Sequence, residues 1–555
     1  MTPAGACAHR LLVDHSERLA RKFYAPSPGV WCLVGNGLSN QTFIEGPEGV
    51  IAIDTGESVE EMQAALRQLA TVCDKPVVAV MYTHFHYVGG TRAVLEVFGG
   101  DIPIYAHDRV VANLRRTSDD IAPMYGRGLV EQFGLALPAT GLDSMPNVGL
   151  GLTFRLAEHA PHTPGFVPPT ITTDRPTAWR IAGLDVQVMP APSDADDSVT
   201  IWFPSLKTAV QNLVWPTLFN IFPIRGEEYR DPRVLLEGLD DLLALEAQHV
   251  LGTHGPPISG AAEIGTRVRA YRDAIQFLWD QTVRGMNKGW TTDELAARVR
   301  LPQTCDADYI TAERYGVAEH HVRQIHNGIK GWFDGDPAKL FPLEPAERAS
   351  RLIEGFGGRS VVRAQAAAAM QKDDLRWAIE LASWLVAAPV SEGDDLQPDR
   401  NLLAGALRLL GQRTPAANIR SWVLTRARDL EGVGPLERYR KHRFRRDSIL
   451  ANPAGSVAIL RVLLDPLRAD GLDVHVRFDF GNNRERGLHV RNQVAVPTDG
   501  SSSSISLRVD AELWAAFLTG KMPIASLVAD KGAAVVGNRE DLIAMLACFD
   551  ISAPR

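Results

Sequence analysis

Two histidines spaced two residues apart give the clearest sign of chemistry in this chain of 555 residues. His84 and His86 stand between an apolar run, Val77–Met81, and the pair Gly89-Gly90. In an extended segment residues i and i+2 point the same way, so both imidazoles can reach one ion, a geometry that suits zinc. Many such histidine pairs are plain surface or core residues. Here the preceding strand and the following glycine turn favour a metal site.

Three further segments place an acid or a histidine beside an apolar run of strand length. Asp54 ends one such run, His254 follows another, and Asp194, Asp196 and Asp197 precede a third. Open α/β sheets gather ligands at the carboxyl edge of their strands, so these residues are candidates for the same site. The alternatives are a turn-capping role for Asp54 and an exposed acidic turn for the three aspartates.

The elements that must position these residues predict a layered α/β domain over residues 1–260. Short β-branched runs, such as Val30–Val34 and Val77–Met81, alternate there with helical stretches such as Val59–Thr71. Alternation of strands and helices is typical of α/β folds, in which helices cover the faces of a sheet.

The rest of the chain predicts two more domains. Residues 261–431 keep apolar residues at helical spacing, which predicts an all-α domain. Within residues 432–555, the runs Val474–Phe480, Leu488–Val496 and Ile505–Val509 alternate like strands of an antiparallel sheet. Two helical stretches follow them, so a small α+β domain is expected there.

Composition excludes several classes of protein. The chain has 58 Lys and Arg against 66 Asp and Glu, a net charge of −8, and no long basic run, which disfavours a nucleic-acid binder. Its five scattered cysteines predict no disulfide framework, so any metal would be held by histidine and carboxylate. No apolar stretch is long enough for a membrane span, and the first residues lack a signal-peptide pattern. A cytoplasmic protein is expected.

Several motifs together resemble the metallo-β-lactamase-fold hydrolases. The resemblance rests on THFHYVGG, on the strand end IDTG and on the late GTHG. Others resemble the alkyl sulfatase branch of that superfamily: Asn147–Leu152, Asn220–Asp231, Tyr315-Gly316, His321–Arg323 and Trp332–Gly335. The resemblance implies an αββα sandwich over 1–260, an all-α dimerisation domain over 261–431 and a small α+β sterol-carrier-like domain over 432–555. It also implies a homodimer.

The metal motif departs from the family pattern. The family carries HxHxDH and binds two zinc ions, whereas here Tyr87-Val88 runs straight into the glycine pair. The family's bridging Glu is replaced by Gln211, and its candidate proton-donating His is replaced by Phe219. Two adjacent zinc ions need anionic ligands to offset their repulsion. These departures from the family therefore favour one ion, or an otherwise rearranged site, over two.

Four residues match the family's ligand positions well enough to hold that ion. They are His84, His86, Asp194 and His254, with Asp197 as a shifted alternative to Asp194. Zinc is expected, although histidine and carboxylate ligands also suit iron or manganese.

The resemblance assigns supporting roles to four other residues. Asp54 would hold a ligating histidine by its second ring nitrogen, and Gln211 would lie just behind the ligands. Arg225 would grip the anionic head of a substrate by two parallel bonds. Tyr125 would donate to a substrate oxygen, or else pack as a plain aromatic. The alternative for Arg225 is an ion pair with one of Glu227, Glu228 and Asp231.

Three hypotheses on function follow. The first is a metal-dependent hydrolase that cleaves an ester, a sulfate ester first of all, of a small molecule with an apolar chain and an anionic head. The second keeps the fold and changes the reaction to carboxylic ester, lactone or amide hydrolysis, or to a non-hydrolytic step. The third is a dimeric binding protein whose hydrolase domain no longer turns over.

Overall fold

The computed structural model describes residues 1–118, 120–434, 436–439 and 444–551. The chain forms two compact units: Met1–Arg115 with Gly128–Pro435, and Arg116–Arg127 with Leu436–Arg555. Each unit has its own hydrophobic core. The bounds of the three domains given above remain predictions.

The first unit contains a seven-stranded sheet whose strands follow chain order. They are β1 (Lys22–Ser27), β2 (Val30–Val34), β3 (Gln41–Gly46), β4 (Gly49–Ile53), β5 (Val77–Met81), β6 (Ile104–His107) and β7 (Ile171–Thr173). Pairing is antiparallel from β1 to β4 and parallel from β4 to β7. Ile53 pairs with Met81, so β4 and β5 end side by side and deliver the residues that follow them to one edge.

A second sheet of six strands has the order β13-β12-β11-β10-β9-β8. Its strands are β8 (Thr177–Ile181), β9 (Leu184–Pro190), β10 (Val199–Phe203), β11 (Thr208–Gln211), β12 (His249–Gly252) and β13 (Ile258–Ser259). Strands β11 and β12 are parallel, with Gln211 opposite Gly252. The residues that follow these two strands, Asn212 and Thr253, therefore also share an edge.

Fourteen α-helices are described up to residue 430. They are α1 (Arg10–Leu19), α2 (Val59–Leu69), α3 (Thr91–Phe98), α4 (Val110–Ser118), α5 (Ala122–Gln132), α6 (Pro232–Ala244), α7 (Ala261–Asn287), α8 (Thr292–Arg298), α9 (Ala318–Lys330), α10 (Pro345–Gly355), α11 (Arg359–Gln371), α12 (Leu375–Ala387), α13 (Gln397–Arg413) and α14 (Ala417–Leu430). None of the helices in the described ranges is long and apolar enough to cross a membrane.

The two sheets pack face to face with helices outside them. Ile51 and Met81 of the first sheet meet Ile201 and Val210 of the second in one buried layer. Helices α2 and α3 cover the outer face of the first sheet, and α6 and α7 cover the second. Because β4 is covered on both faces, every one of its residues is buried, which explains its unbroken apolar run. The predicted αββα sandwich is confirmed.

From α7 onward the first unit is helical, as predicted. Helix α7 spans 27 residues, which corresponds to about 40 Å. Helices α10 to α14 share a core that includes Leu381, Leu385, Leu403 and Leu430. This part supplies no strand among its described residues and so gives an all-α domain beside the sandwich.

The second unit is a five-stranded sheet with helices, which confirms the predicted α+β class. Its strands, in the order β16-β15-β14-β17-β18, are β14 (Val474–Asp479), β15 (Glu485–Arg491), β16 (Val494–Thr498), β17 (Ile505–Val509) and β18 (Ala533–Val536). Its helices are α15 (Arg446–Ala451), α16 (Pro453–Ile459), α17 (Ala511–Leu518), α18 (Ile524–Ala529) and α19 (Arg539–Ala547).

One predicted strand of this unit is wrong. The run Leu488–Val496 is split into β15 and β16 by a tight turn at Asn492 and Gln493, whose φ angles are 48° and 59°. Two successive residues at positive φ are typical of the two-residue hairpin turn. The sheet is also mixed, because β14 and β17 pair in parallel.

Candidate metal centre

Asp54 fastens the end of β4 to the loop that follows β5. It takes a φ of 55°, which aspartate tolerates better than most residues, and its amide donates to the carbonyl of Met81 at 3.0 Å. Its carboxylate accepts from the Thr83 amide at 2.8 Å and from the Thr83 hydroxyl at 2.7 Å. The Thr83 hydroxyl oxygen in turn lies 2.9 Å from His84 Nδ1. The expected contact is thus corrected: Asp54 reaches a histidine only through Thr83.

His84 and His86 meet, although not in the expected extended geometry. His84 is extended, with φ near −170°, but Phe85–Tyr87 form one turn of 3-10 helix. This turn brings His86 Nδ1 to 3.0 Å from His84 Nε2. The prediction that both imidazoles face one point therefore holds for a different backbone reason.

Asp194 completes a group of three metal-binding side chains. It lies in the loop between β9 and β10, with Oδ2 at 3.2 Å from His86 Nδ1 and Oδ1 at 3.7 Å from His84 Nε2. One ligand atom from each of the three residues lies within 4.8 Å of the others, and the side chains are only 0%, 10% and 5% exposed. Burial raises the pKa of Asp194, but His84 and His86 outweigh it and hold that pKa well below its usual value.

A second carboxylate holds the far side of His86. Glu227 Oε1 lies 3.1 Å from His86 Nε2, which leaves Nδ1 directed at Asp194. Burial lowers the pKa of His86, but Asp194 and Glu227 together raise it to about 9. Burial lowers the pKa of His84 to about 3. Because Nδ1 donates to Thr83, the neutral ring keeps its lone pair on Nε2, which lies 3.0 Å from His86 Nδ1. Carboxylates that hold the second ring nitrogen of a histidine are typical of metal sites.

Arg225 is engaged by this same carboxylate. Its Nη2 donates to Glu227 Oε1, while Arg230 donates to Glu227 Oε2. The side chains of all three are less than a tenth exposed. Burial raises the pKa of Glu227, but the two guanidinium groups outweigh it and hold that pKa well below its usual value. The structure therefore contains the ion pair that stood as the alternative to anion binding by Arg225.

Asn212 takes the place beside the ligands that was expected of Gln211. The Gln211 side chain accepts from the backbone amides of Leu213 and Val214, so it caps the turn after β11 instead of facing the ligands. The Asn212 amide nitrogen instead donates to Asp194 Oδ1 at 2.6 Å. The prediction of Gln211 behind the ligands is corrected: its neighbour orients Asp194.

His254 lies nearby but outside the group of three. Its Nδ1 lies 2.9 Å from the carbonyl oxygen of Leu38, and its Nε2 lies 3.2 Å from the hydroxyl of Tyr87. The donor atoms brought together within 4.8 Å come from His84, His86 and Asp194. The expected fourth ligand is therefore engaged elsewhere.

Asp197 and Tyr125 are the two other residues predicted for the site. Asp197 is fully buried, and its carboxylate oxygens make no hydrogen bond of normal geometry. Burial raises the pKa of Asp197 to about 7. The group of three contains Asp194 and not Asp197, which favours Asp194 as the ligand. Tyr125 lies in the segment Arg116–Arg127, which belongs to the second unit, and its role remains a prediction.

Sequence reasoning missed three residues of the site. Thr83 precedes the histidine pair directly, Asn212 follows β11, and Glu227 stands two residues after Arg225. Asn212 directly follows a buried strand, as Asp54 does, so the same pattern could have predicted it as a site residue. Glu227 gave no such signal, because it comes from a loop 141 residues beyond His86.

The buried carboxyl group of Glu61 is expected to make the stability of the fold depend on pH. Glu61 is nearly fully buried, and burial together with the charge of Glu57 raises its pKa to about 8. Between pH 5 and 8 the folded chain keeps a proton that the unfolded chain releases, so stability falls as pH rises. We expect Glu61→Gln to reduce this fall by on the order of 2 kcal/mol in the free energy of unfolding.

Urea denaturation at pH 5 and pH 8 measures the effect. The exposed Glu48→Gln serves as control and should leave the pH dependence of the wild type unchanged. An equal pH slope for wild type and Glu61→Gln would contradict the expectation.

The fold and the site define a class of protein. An αββα sandwich with a His-x-His pair at the strand ends is the arrangement of the metallo-β-lactamase superfamily, and residues 34–178 match that superfamily. Residues 291–432 match the family described as alkyl sulfatase dimerisation.

Similarity to known proteins extends over almost the whole chain. It is 35% identical over 527 residues to a linear primary-alkylsulfatase of a Pseudomonas species, covering 91% of this chain and 98% of the relative. It is 27% identical to an alkyl/aryl-sulfatase of Saccharomyces cerevisiae, covering 100% of this chain and 86% of the relative. The chain therefore belongs to the alkylsulfatase family of the metallo-β-lactamase superfamily.

A solved structure supports the fold. The stereoselective inverting sec-alkylsulfatase Pisa1 of a Pseudomonas species superposes with a TM-score of 0.84 at 24% identity. The match covers 99% of this chain and 88% of that one.

The superfamily implies a divalent metal, and the residues present fit one. Two ring nitrogens and a carboxylate oxygen converge in a nearly dry site. Each of the two rings is held at its other nitrogen, His84 by Thr83 and His86 by Glu227. These are the donor set and the outer support that histidine-rich metal sites use.

Proposed function

We propose that this protein is a metal-dependent hydrolase that cleaves sulfate esters of small molecules with an alkyl chain. The observation that carries the proposal is the buried group of His84, His86 and Asp194 at the strand ends of an alkylsulfatase-family fold. The names of the relatives support the substrate class, since the yeast and Pseudomonas proteins are both called sulfatases of alkyl substrates.

The ion is proposed to be a single zinc held by His84 Nε2, His86 Nδ1 and Asp194. Iron or manganese would suit the same ligands. When bound, such an ion supplies positive charge that polarises a sulfate oxygen and lowers the pKa of water.

The chain's own residues keep this centre in order. The Thr83 hydroxyl accepts from His84 Nδ1 and donates to Asp54, so the Nε2 lone pair of His84 stays directed inward. Glu227 accepts from His86 Nε2 and directs Nδ1 inward. Asn212 donates to one oxygen of Asp194 and leaves the other toward His86. All of these bonds are made before substrate arrives, which lowers the cost of organising the site.

A second reaction is favoured by one observation. Phe219, which stands where the family carries a candidate proton donor, is fully buried, with its ring centroid 4.5 Å from that of Trp215. A phenyl ring cannot protonate a leaving alcohol, so the alternative substrates are esters that hydroxide can cleave without such a proton donor. Carboxylic esters are the first of these.

Metal removal and a substrate panel test the proposal. We expect the purified protein to carry metal, to release sulfate from dodecyl sulfate, and to lose at least about 10³-fold in rate after exhaustive chelation, with recovery on adding zinc. Dodecyl phosphate and dodecyl acetate are the comparison substrates.

Hydrolysis of dodecyl acetate without sulfate release would favour the alternative reaction. Full activity in metal-free protein would contradict both reactions. Absence of metal from freshly purified protein, together with no turnover, would favour the dimeric binding protein.

We also propose a homodimer formed through the helical part, as the matched dimerisation family supports. Several large apolar side chains of that part are exposed, among them Trp332 at 70% and Phe341 at 94%. Their neighbours Ile329, Leu340 and Leu343 are exposed by more than 40% as well. Clustered exposed apolar residues are typical of protein interfaces.

The double variant Trp332→Asp/Phe341→Asp is expected to shift the protein from dimer to monomer, because two buried charges oppose association. Light scattering coupled to size-exclusion chromatography measures the mass. Leu467→Asp, at a residue 85% exposed in the second unit, is the matched control and should leave the dimer intact. A dimer that survives the double variant would place the interface elsewhere.

A further inference from the structure

Tyr87 lies at the centre of three histidine rings. Its ring centroid is 5.2 Å from that of His84, 5.9 Å from His86 and 5.3 Å from His254. The side chain is buried, and its hydroxyl lies 3.2 Å from His254 Nε2. No part of the proposed reaction described above uses this phenol.

The hydrogen bonds fix the proton positions on His254. The carbonyl of Leu38 can only accept, so Nδ1 carries a hydrogen. Since Nδ1 carries the hydrogen of the neutral ring, Nε2 is left with a lone pair that faces the Tyr87 hydroxyl. The Tyr87 hydroxyl then donates to that lone pair. This lone pair is the one with which His254 would bind a metal ion.

The group of three itself supplies little negative charge for two ions. Within the group of three, Asp194 supplies the single carboxylate, and the neutral amide of Asn212 occupies one of its oxygens. The nearby Glu227 is already shared by two guanidinium groups. Two divalent ions side by side would repel each other strongly without further anions between them.

We infer that the Tyr87 hydroxyl holds His254 by a hydrogen bond to its Nε2 lone pair, so that His254 is not a metal ligand and offers no position for a second ion. The inference rests on the proposed metal centre and deepens it. It assigns Tyr87 and His254 as positioning residues beside the metal centre. The protein ligands of the ion are then three side chains, those of His84, His86 and Asp194.

Titration of metal-free protein with Co²⁺, followed by its visible absorption, tests the inference without turnover. We expect the titration to end at one equivalent per chain in wild type and in His254→Ala, with unchanged band positions and with affinities within about threefold of one another. His84→Ala is the positive control and should lose binding. Two equivalents in the wild type, or altered bands and weakened binding in His254→Ala, would overturn the inference.

The hydrogen bond itself is tested by a double-mutant cycle on unfolding of the metal-free protein. The cycle combines Tyr87→Phe with His254→Ala. If His254→Ala does not fold, His254→Gln, whose side chain still has an acceptor, takes its place. We expect Tyr87→Phe and His254→Ala to be coupled by about fivefold in the unfolding equilibrium constant, the size of one buried hydrogen bond. Strict additivity would overturn the role of the hydroxyl. One bound ion without sulfate release would contradict the proposed function alone.

Discussion

Asp194→Asn is expected to reduce kcat/KM for dodecyl sulfate by at least about 10³-fold and to empty the metal centre. The change keeps the size of the side chain and an oxygen that Asn212 can donate to. It removes the single negative charge of the three-residue group, so an ion would be held by two neutral rings and an amide. Metal content by mass spectrometry and initial rates with and without added zinc measure the result.

Asp196→Asn is the matched control, because it lies in the same loop and removes the same charge. Asp196 pairs with Arg109 at 2.6 Å and accepts from Asn113 at 2.8 Å, away from the histidines. We expect it to keep its metal and to stay within about threefold of the wild-type rate. If Asp194→Asn retained metal and Asp196→Asn did not, the ligand assignment within this loop would be wrong.

Glu227→Gln is expected to weaken metal binding by about 10- to 100-fold and to lower the free energy of unfolding by about 3–5 kcal/mol. Both effects come from one carboxylate. It fixes the ring of His86, and it balances the charges of Arg225 and Arg230 in a buried place. Glutamine keeps the shape but supplies no charge to either arginine.

Measuring stability in the presence of a chelator separates the two effects. Asp231→Asn, four residues along the same segment, removes a carboxylate that caps α6 and pairs with Arg233 near the surface. That control should cost less than about 1 kcal/mol, because asparagine caps helices nearly as well and surface pairs contribute little. Unchanged stability of metal-free Glu227→Gln would mean that the two arginines do not depend on this carboxylate.

The parts of the fold that sequence could predict are those fixed by local periodicity. The unbroken apolar run of β4 and the one before His84 predicted two buried strands, and the parallel register places their ends together. The hairpin between β15 and β16 was missed, because the apolar alternation runs through it. Asn492 was the available turn signal.

The candidate site was predictable as far as its strand-end residues. His84, His86 and Asp194 come together as expected. The contacts of His254 and Gln211 were not predictable, because they depend on the tertiary structure. His254 is bonded by the Tyr87 hydroxyl, and Gln211 accepts from a backbone amide. Glu227 comes from a loop whose path only the tertiary structure defines.

The loop between His86 and α3 is tightly packed and hydrogen-bonded, and this limits how the centre can be re-engineered. Gly89 donates to the carbonyl of Gly56 at 2.8 Å, and a Cβ on Gly90 would lie 2.1 Å from the carbonyl oxygen of Thr55. Inserting the Asp-His pair of the family motif after Tyr87 would therefore push the start of α3 off the sheet edge. A two-ion version of this enzyme calls for replacing the whole stretch from strand end to helix, together with the carboxylates that would neutralise the added ion.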